Sequence, residues 1–406
     1  MVRLVNEIAL AATVEEHRSI RMTSSSAPAT FTVDGVCLTP IMDGAARLEA
    51  LLSLIAEAQD SLRLFYYIFA EDDVGTQVRD ALCSAARRGV SVALTIDGFG
   101  SPASDAFLAP LIEAGANICR FLPRFGRRYL LRNHQKMALA DEQRALIGGF
   151  NIADDYFADT DPLAWRDLGL LVEGDAVRQL AGYYDVLHRW SLRERAPMRE
   201  LRQDLRRWSQ PAGPVRWLMG GPVRRLNPWV RAVKKDLHTA TRLDLISAYF
   251  VPNPAMLRRI EAVGRRGTAN LMTAGRSDSD ITIAAARHSY HGLLRNGVGI
   301  WEYRLARLHT KLLMIDDSVY IGSANLDMRS LFLNLEIMLR VQDKGFADHM
   351  RAYAEAERSG AQHITPALHE RRRSWFARLR WGLAYLVVGV LDSEVTRRLN
   401  FSWRWR

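Results

Sequence analysis

Hydrophobic positions recur along the chain in two similar series of predicted strands and helices. Residues 62–69 (LRLFYYIF) and 243–251 (LDLISAYFV) are apolar, aromatic-rich runs, and each follows an amphipathic stretch with helical periodicity. Short runs of this composition predict strands, whereas an apolar period near 3.6 predicts helices. Both halves of the chain are therefore expected to alternate strands and helices.

The predicted helix that follows each of these strands ends in the same way. Both helices end in Arg-Arg-Gly, with Gly89 in the first half and Gly267 in the second. Glycine enters the left-handed region at little steric cost, so we expect both glycines to form left-handed helix caps. A short strand is predicted after each cap, at residues 90–96 and 268–272.

The repeated unit predicts the architecture of the whole chain. At 406 residues the chain is longer than one hydrophobic core usually supports. Alternating strands and helices in two units predict an α/β fold of two similar lobes, each a sheet flanked by helices, related by a pseudo-twofold axis with the active site at their interface. The predicted boundaries are an N-terminal extension (1–35), a first lobe (36–192), a crossing segment (193–222), a second lobe (223–370) and a C-terminal segment (371–406).

The formal net charge of +10 is distributed unevenly. Residues 190–235 contain twelve Lys and Arg against three Asp and Glu, and residues 371–406 contain nine against two. Basic charge concentrated in this way favours contact with an anionic surface, either membrane phospholipid or nucleic acid. A solvated basic face is the alternative.

The cysteines and the apolar runs indicate a compartment. Cys37, Cys83 and Cys119 are odd in number and lack metal-clip or CxxC spacing, which argues against a disulfide framework and favours a reducing cytosolic setting. Residues 1–16 lack the features of a signal peptide, and the longest apolar run, residues 382–391, is too short to span a bilayer.

A motif of residue types that can take part in catalysis occurs once in each half: H-x-K-x4-D, followed by a glycine turn and an asparagine. A single His-x-Lys carries little information, but two copies with nearly equal downstream spacing are rarely a coincidence. Because side chains alternate along a strand, the His and Lys of each copy face the same side. The candidate catalytic residues are His134, Lys136, Asp141, His309, Lys311 and Asp316.

These residue types match the requirements of phosphodiester chemistry. One imidazole would attack phosphorus to give a phosphohistidine, and the other would protonate the departing alcohol. The two lysines would neutralise the phosphoryl oxygens, which makes a divalent metal unnecessary, and no Asp, Glu and His cluster has metal-ligand spacing in the sequence. We therefore expect no cofactor. The candidate phosphate-binding residues are Asn151, Asn325 and Ser323.

Each catalytic imidazole also needs a carboxylate on its other ring nitrogen, which would fix the tautomer and support the imidazolium. Asp167 and Glu336 are the candidates for this orienting role, and a surface or strand-end acid is the alternative for either. Asp141 and Asp316 belong to the repeated motif but come where their strands end. For these two residues, fixing a turn is therefore favoured over proton transfer.

These motifs resemble the phospholipase D superfamily and, within it, the bacterial cardiolipin synthases that lack N-terminal membrane spans. The resemblance extends over residues 36–341, although the turn after Asp316 is one residue shorter than the turn after Asp141. The segments that carry it are residues 66–69, 97–101, 133–156, 165–177, 247–252, 275–278 and 309–336.

The resemblance implies a phosphatidyl transferase that forms cardiolipin from phosphatidylglycerol, or a related donor, through a phosphohistidine. Either histidine fits as the nucleophile, and His134 is favoured. The same two histidines also serve phospholipid hydrolases and nucleases, so these stay open as alternatives. A non-catalytic binding relative is disfavoured because both motifs are intact.

The C-terminal segment bears on the partner and the location. Arginines there are interleaved with aromatic residues around the apolar decamer, which favours a helix lying in a bilayer interface over a packed C-terminal helix. We therefore expect an anionic phospholipid membrane surface and phosphatidylglycerol-type lipids as partners, no nucleic acid, and a peripheral location on the cytoplasmic face of a bacterial inner membrane. The aromatic residues are Trp375, Phe376, Trp381, Trp403 and Trp405.

Overall fold

The structure is a computed structural model that describes residues 28–122, 130–158, 161–223 and 226–391, with the side chains of the last two residues not described. The first half forms strands β1 Phe31–Val33, β2 Val36–Ile41, β3 Ser61–Tyr66, β4 Ser91–Asp97, β5 Asn117–Phe121, β6 Met137–Ala140, β7 Arg144–Gly148, β8 Trp165–Arg166 and β9 Gly169–Glu173. Its helices are α1 Gly44–Glu57, α2 Asp73–Arg87, α3 Asp105–Glu113 and α4 Ala176–Leu192, with a 3-10 turn at Asp154–Tyr156.

The second half repeats this arrangement. Its strands are β10 Val215–Gly220, β11 Arg242–Ser247, β12 Phe250–Val251, β13 Thr268–Ala274, β14 Val298–Tyr303, β15 Arg307–Leu308, β16 Lys311–Ile315, β17 Ser318–Gly322, β18 Leu326–Asp327, β19 Glu336–Gln342 and β20 Gln362–His363. Its helices are α5 Met198–Arg207, α6 Pro228–Thr239, α7 Pro254–Arg266, α8 Asp280–Arg295, α9 Met328–Phe332, α10 Lys344–Ser359, α11 Pro366–Arg372 and α12 Trp375–Tyr385, which continues into a π-helical segment, Leu386–Leu391.

Two eight-stranded mixed sheets share one topology, which confirms the predicted duplicated α/β fold. The first has the order β1-β2-β9-β7-β6-β3-β4-β5 and the second the order β10-β19-β17-β16-β11-β13-β14-β20. Seven strands correspond one to one, from β2 and β10 at one side to β5 and β14 at the other. Each sheet adds one short edge strand, β1 in the first and β20 in the second.

This correspondence moves one predicted boundary. β10 lies inside the predicted crossing segment, yet it pairs residue by residue with β19 from Val215 to Gly220 and so belongs to the second sheet. The rest of that segment includes helix α5. The composition of residues 193–222 did not indicate this strand, because the strand that β10 pairs with is more than a hundred residues away.

The two lobes share a hydrophobic core. Helices α4 and α10 contribute buried side chains such as Leu187 and Met350 to a cluster that also contains Ile147 of the first sheet and Ile321 of the second. Separate clusters cover the outer faces, under α1–α3 in the first lobe and α6–α8 in the second. The shared core holds the facing edges of the lobes in a fixed relation, which the site requires.

The two Arg-Arg-Gly helix ends differ. Gly89 has φ +97°, as the left-handed cap prediction requires. Gly267 has φ −164°, so that prediction is wrong for the second helix. Its glycine is needed for another reason: a Cβ there would stand 2.0 Å from the carbonyl oxygen of Thr241.

The C-terminal helices pack on α8. Trp381 and Ala384 of α12 are buried against Ala284 and Ala285, and the Tyr385 hydroxyl donates to the carbonyl of Pro252 at 3.1 Å. Trp403 and Trp405, on which part of the interface prediction rests, lie outside the described residues. Within the described part of the chain, no helix has both the length and the apolar character needed to cross a bilayer.

Candidate active site

Backbone pairing between the lobes delivers both histidines to one place. His134 lies just before β6, and its N–H donates to the carbonyl of Leu335 in the second lobe at 3.0 Å. His309 lies between β15 and β16, and its N–H donates to the carbonyl of Arg166 in the first lobe at 2.8 Å. Each histidine therefore follows a segment that pairs with the opposite lobe, as the short β8–β15 ladder also shows.

The candidate orienting carboxylates are exchanged between the lobes. His134 Nδ1 lies 3.0 and 3.1 Å from the two carboxylate oxygens of Glu336, and His309 Nδ1 lies 2.6 Å from Asp167 Oδ2. Both carboxylates are fully buried. Because a carboxylate only accepts, Nδ1 of each ring carries the hydrogen, and Nε2 is the nitrogen that remains for chemistry.

Further donors hold the Glu336 carboxylate in position. Ser323 Oγ donates to Glu336 Oε2 at 2.5 Å, and Ser330 Oγ donates to Oε1 at 2.8 Å. The sequence suggested Ser323 as a phosphate ligand, but its hydroxyl proton is directed at Glu336, so the contact supports an orienting role instead. Burial alone would raise the pKa of Glu336, yet His134 and Lys136 outweigh burial and hold this pKa below its usual value.

Asp167 is held more simply. Its Oδ1 accepts the backbone N–H of Leu168 at 2.8 Å. Gly149, which matches Ser323 in the first motif, comes so close that a Cβ there would stand 2.5 Å from Asp167 Oδ1. Burial acts to raise the pKa of Asp167, but His309 and Lys311 lower it overall. Gly149 and Ser323 therefore occupy equivalent positions beside the two orienting carboxylates. Gly149 leaves room for Asp167 to come close, whereas Ser323 donates a hydrogen bond to Glu336.

Lys136 and Lys311 are both buried beside the histidines of their motifs. Lys136 Nζ donates to the carbonyl of His134 at 2.7 Å, and Lys311 Nζ donates to the carbonyl of His309. Burial lowers the pKa of Lys311 to about 8 and takes that of Lys136 well below its ordinary value. A bound anion would offset this desolvation and favour the charged form of both lysines.

The surroundings of both imidazoles favour the neutral ring at pH 7. Burial lowers the pKa of His134 to about 4 and that of His309 to about 3, with a further contribution from the lysines, although the paired carboxylates act in the opposite direction. A neutral ring with Nδ1–H held by a carboxylate exposes a lone pair at Nε2. That is the form a nucleophile needs.

Two aromatic rings pack against His309 and one packs against His134. None of the three is among the candidate site residues predicted from the sequence. The ring centroids of Tyr156 and Trp165 lie 5.2 and 5.3 Å from that of His309 in edge-on contacts, whereas the ring centroid of Tyr67 lies 5.1 Å from that of His134. The His134 side chain is 14% exposed and the His309 side chain 6%. All three aromatic residues lie in segments that carry the family resemblance, which is the only sequence signal for them.

The two candidate asparagines differ in their partners. Asn151 Oδ1 accepts the backbone N–H of Ile68 at 3.1 Å. Asn325 is buried, and its Oδ1 has no hydrogen-bond partner among the described residues. An unpaired buried amide is costly unless a ligand or water satisfies it.

Asp141 and Asp316 do not join the catalytic group, which corrects their place in the motif-based set. The Asp141 carboxylate accepts the backbone N–H groups of Gln59, Asp60 and Ser61 at 2.8–2.9 Å, and its φ is +52°. Asp316 accepts from the backbone of Arg242 at 2.9 Å and has φ +46°. Both fix the turn at the far end of their strands, which is the role that the sequence favoured for them.

One group of described residues could hold a metal, and it contains none of the candidate site residues. His291, His369 and Glu370 bring one ligand atom each within 4.8 Å of the others, between helices α8 and α11. The sequence separates His291 from the other two, so spacing could not reveal the group. Its location at the junction of the C-terminal helices is separate from the paired histidines.

Comparisons with known proteins agree with the fold and the motifs. A family model described as "Cardiolipin synthase, PLD-like domain" matches residues 51–177 and 233–357. The chain is 33% identical to cardiolipin synthase B of Salmonella typhimurium over 74% of this chain and 75% of that protein. It is 31% identical to cardiolipin synthase A of Pseudomonas fluorescens over 80% of this chain and 69% of that protein.

Among solved structures, phosphatidylserine synthase from Haemophilus influenzae Rd KW20 superimposes with a TM-score of 0.67. The match covers 93% of this chain and all of that one at 12% sequence identity. At this identity the likeness concerns the fold alone. It supports the two-lobed arrangement independently of the sequence matches.

Proposed function

The chain belongs to the cardiolipin synthase family of phospholipase D-like proteins, and from this premise we propose that it joins two phosphatidylglycerol molecules into cardiolipin through a phosphohistidine. The observation that carries the proposal is the reciprocal pairing of two neutral imidazoles with buried carboxylates of the opposite lobe. Double displacement at phosphorus requires two such groups, one as nucleophile and one as acid and base.

The first step moves the phosphatidyl group to the protein. The Nε2 lone pair of His134 attacks the phosphorus of one phosphatidylglycerol, and the P–O bond to the headgroup glycerol breaks as the P–N bond forms. His309 gives its Nε2 proton to the departing oxygen. The products are glycerol, phosphatidyl-His134 and neutral His309.

The second step moves the phosphatidyl group to the acceptor. A headgroup hydroxyl of another phosphatidylglycerol attacks the phosphorus while His309 Nε2 takes the hydroxyl proton. The P–N bond breaks, its electron pair returns to His134, and cardiolipin is released with His309 protonated again. Atoms and charge therefore balance without another reactant.

Substrate binding supplies the proton state that this sequence needs. The diester anion lies between Lys136 and Lys311, where it offsets the positive charge that, after burial, disfavours an imidazolium at His309. The pKa of His309 then rises and the ring gains its proton. Support for His134 as the nucleophile comes from its greater exposure and from the closer confinement of His309 by two aromatic rings.

The phosphoryl oxygens receive fixed donors. Lys136 and Lys311 neutralise them, and Asn325 contributes its buried amide, which has an unpaired oxygen among the described residues. An amide rotated by half a turn offers Nδ2 instead, so the same group fits a phosphoryl oxygen. Preorganised donors of this kind lower the barrier because they need no rearrangement during the reaction.

The membrane partner is supported by the outer face of α12. Trp375, Leu379 and Leu383 recur at every fourth position and are 65%, 56% and 53% exposed, and the π-helical segment extends the row with Leu386 and Val387. The opposite face of the helix packs on α8 through Trp381. The exposed face therefore suits the predicted interface helix, whereas the opposite face is packed.

Charge beside this apolar ridge fits an anionic bilayer. Arg371, Arg378 and Arg380 are exposed next to it. Each basic residue near such a surface contributes on the order of 1 kcal/mol, and inserted apolar side chains add to this. The enzyme thus binds peripherally to the cytoplasmic face of a bacterial inner membrane, where phosphatidylglycerol is both substrate and surface.

A phospholipid hydrolase or a nuclease using the same histidines is the alternative, and the products discriminate between them. Vesicles containing mass-tagged phosphatidylglycerol, incubated with the full chain, should yield doubly tagged cardiolipin and free glycerol. Phosphatidic acid as the only lipid product would make the protein a hydrolase. Cleavage of single-stranded DNA without any lipid product would make it a nuclease.

A further inference from the structure

The repeated topology allows the surroundings of the two histidines to be compared position by position. β4 and β13 correspond, and each is seven residues long. β4 ends in Asp97, a buried carboxylate that accepts backbone N–H groups, including those of Phe99 and Gly100. β13 ends in Ala274, so the second lobe has no carboxylate at this position.

The second lobe instead carries a carboxylate four residues later, on the surface. Asp278 Oδ1 accepts the hydroxyl of Tyr249 and the hydroxyl of Ser277, both at 2.8 Å. Asp278 is exposed, and its Oδ2 makes no hydrogen bond within the described residues. Two donors on one oxygen hold the carboxylate in a fixed direction while its other oxygen stays available.

This cluster lies at the edge of the sheet where the second motif begins. Ser247, the last residue of β11, pairs with Lys311, and its hydroxyl donates to the carbonyl of Tyr249 at 2.9 Å. Ser247 also pairs with Thr273, the last residue but one of β13, and the loop that carries Asp278 follows this strand. The carboxylate and the two hydroxyls therefore flank the His309–Lys311 side of the cleft.

The corresponding loop in the first lobe has a different chemistry. Phe99 is 62% exposed there, and the Arg132 guanidinium carbon lies 4.4 Å from its ring centroid. Arg132 is two residues from His134. The loop beside His134 therefore presents an aromatic ring and a cation, whereas the loop beside His309 presents hydroxyl groups and an exposed carboxylate.

We propose that Tyr249, Ser277 and Asp278 form the subsite that recognises the hydroxyls of the glycerol headgroup, as donor leaving group and as acceptor. A carboxylate oxygen accepts strongly from an alcohol hydroxyl, whereas it repels a phosphodiester anion. The subsite thus selects a polyol and directs its reacting hydroxyl to His309. The inference rests on the proposed function and adds that the glycerol headgroup lies on the His309 side of the cleft.

The experiment measures how a common intermediate divides between competing alcohols. Full-length protein receives short-chain phosphatidylglycerol with equal concentrations of deuterated glycerol and propan-1-ol, and mass spectrometry quantifies labelled phosphatidylglycerol, phosphatidylpropanol and phosphatidic acid. Wild type should prefer glycerol. Loss of a charged hydrogen-bond acceptor should lower the glycerol-to-propanol ratio about ten- to a hundredfold in Asp278→Asn.

Matched variants separate recognition from folding and from surface charge. Asp280→Asn removes an equal charge two residues away and should leave the ratio unchanged. Tyr249→Phe should lower it in the same direction as Asp278→Asn, which provides a second reading if that variant does not fold. An unchanged ratio in folded Asp278→Asn, or in Tyr249→Phe, overturns the subsite while phosphatidyl transfer stands. Phosphatidic acid as the only wild-type product overturns the proposed function itself.

Discussion

Replacing Glu336 by Gln tests the exchange of carboxylates between the lobes. Glu336 accepts from His134 Nδ1 and from the hydroxyls of Ser323 and Ser330, and it is fully buried. Glutamine has nearly the same shape but only one acceptor oxygen and no charge. The substitution therefore removes the support for the histidine with little change in volume.

The expected effect on turnover is large. Removing the orienting carboxylate of a catalytic histidine while keeping its geometry costs about 10⁴-fold in kcat in a serine protease triad. Because the hydroxyls of Ser323 and Ser330 can still orient the new amide, we expect a loss of about 10³- to 10⁴-fold here, or roughly 4–5.5 kcal/mol in the barrier. The loss should be in kcat, because the side chain is buried behind His134.

Stability should fall as well. Glu336 supports the charge of buried Lys136, whose pKa burial already lowers. Removing one partner of a buried charge pair typically costs about 3–5 kcal/mol, part of which Lys136 recovers by losing its proton. A thermal melt should therefore show a lower midpoint with an unbroken cooperative transition.

The assay is the initial rate of product formation from short-chain phosphatidylglycerol, measured beside circular dichroism and a melt of each variant. Ser330→Ala is the matched control, since it removes one donor to Glu336 but keeps the charge, and it should cost about tenfold or less. Folded Glu336→Gln that retains more than about a tenth of wild-type kcat would refute the orienting role.

His134→Ala and His309→Ala should each abolish turnover while circular dichroism shows a folded protein, and substantial activity in either would remove the two-histidine mechanism. Excess chelator should leave activity largely intact, because the lysines supply the positive charge, and loss that one divalent ion restores would contradict this. Leu379→Asp with Leu383→Asp should weaken co-sedimentation with anionic vesicles at low salt but spare activity on the short-chain lipid; equal sedimentation would show that the α12 ridge is not the docking face. The free energy of unfolding should fall as pH drops from about 6 to 4, by up to about 1.4 kcal/mol per pH unit for each of His134 and His309. The reason is that these rings take up protons near pH 6.5 in the unfolded chain. In the folded protein their pKa values are about 4 and about 3, so they stay neutral over most of this range. A pH titration of denaturant unfolding measures this slope, which should be shallower in His309→Asn, and an equal slope would contradict the lowered pKa of His309.

Because one face of α12 is packed on α8, removal of the C-terminal segment would not test membrane docking alone. Truncation after Glu370 would remove Trp381 from the buried cluster along with the exposed ridge. Loss of vesicle binding in a truncated chain would then mix unfolding with lost docking. Substitutions confined to exposed positions such as Leu379 avoid this, because they leave the packed face intact.

Much of the architecture follows from local sequence. The short strand predicted at residues 90–96 is β4, which spans Ser91–Asp97. The Arg-Arg-Gly helix end at Gly89 has the predicted left-handed cap. A strand period of two, a helix period of 3.6 and the conformational freedom of glycine are properties of neighbouring residues, so the chain determines them before it folds.

The composition of the site was also visible in the sequence, but its pairing was not. The repeated motif identified both histidines and both lysines, and the need for a buried carboxylate identified Asp167 and Glu336 as candidates. Nothing local states that Glu336 contacts His134, 202 residues away, or that Asp167 contacts His309, 142 residues away.

Only the tertiary structure decided the features that depend on contacts between distant segments. The exchange of carboxylates, the direction of the Ser323 hydroxyl and the place of β10 in the second sheet all arise because the lobes pack through a shared core and pair their backbones across it. Gly267 shows the same limit, since its neighbour Thr241 is distant in sequence. Local periodicity fixes which way a side chain faces on its own element, whereas the group it meets is set by how the elements pack.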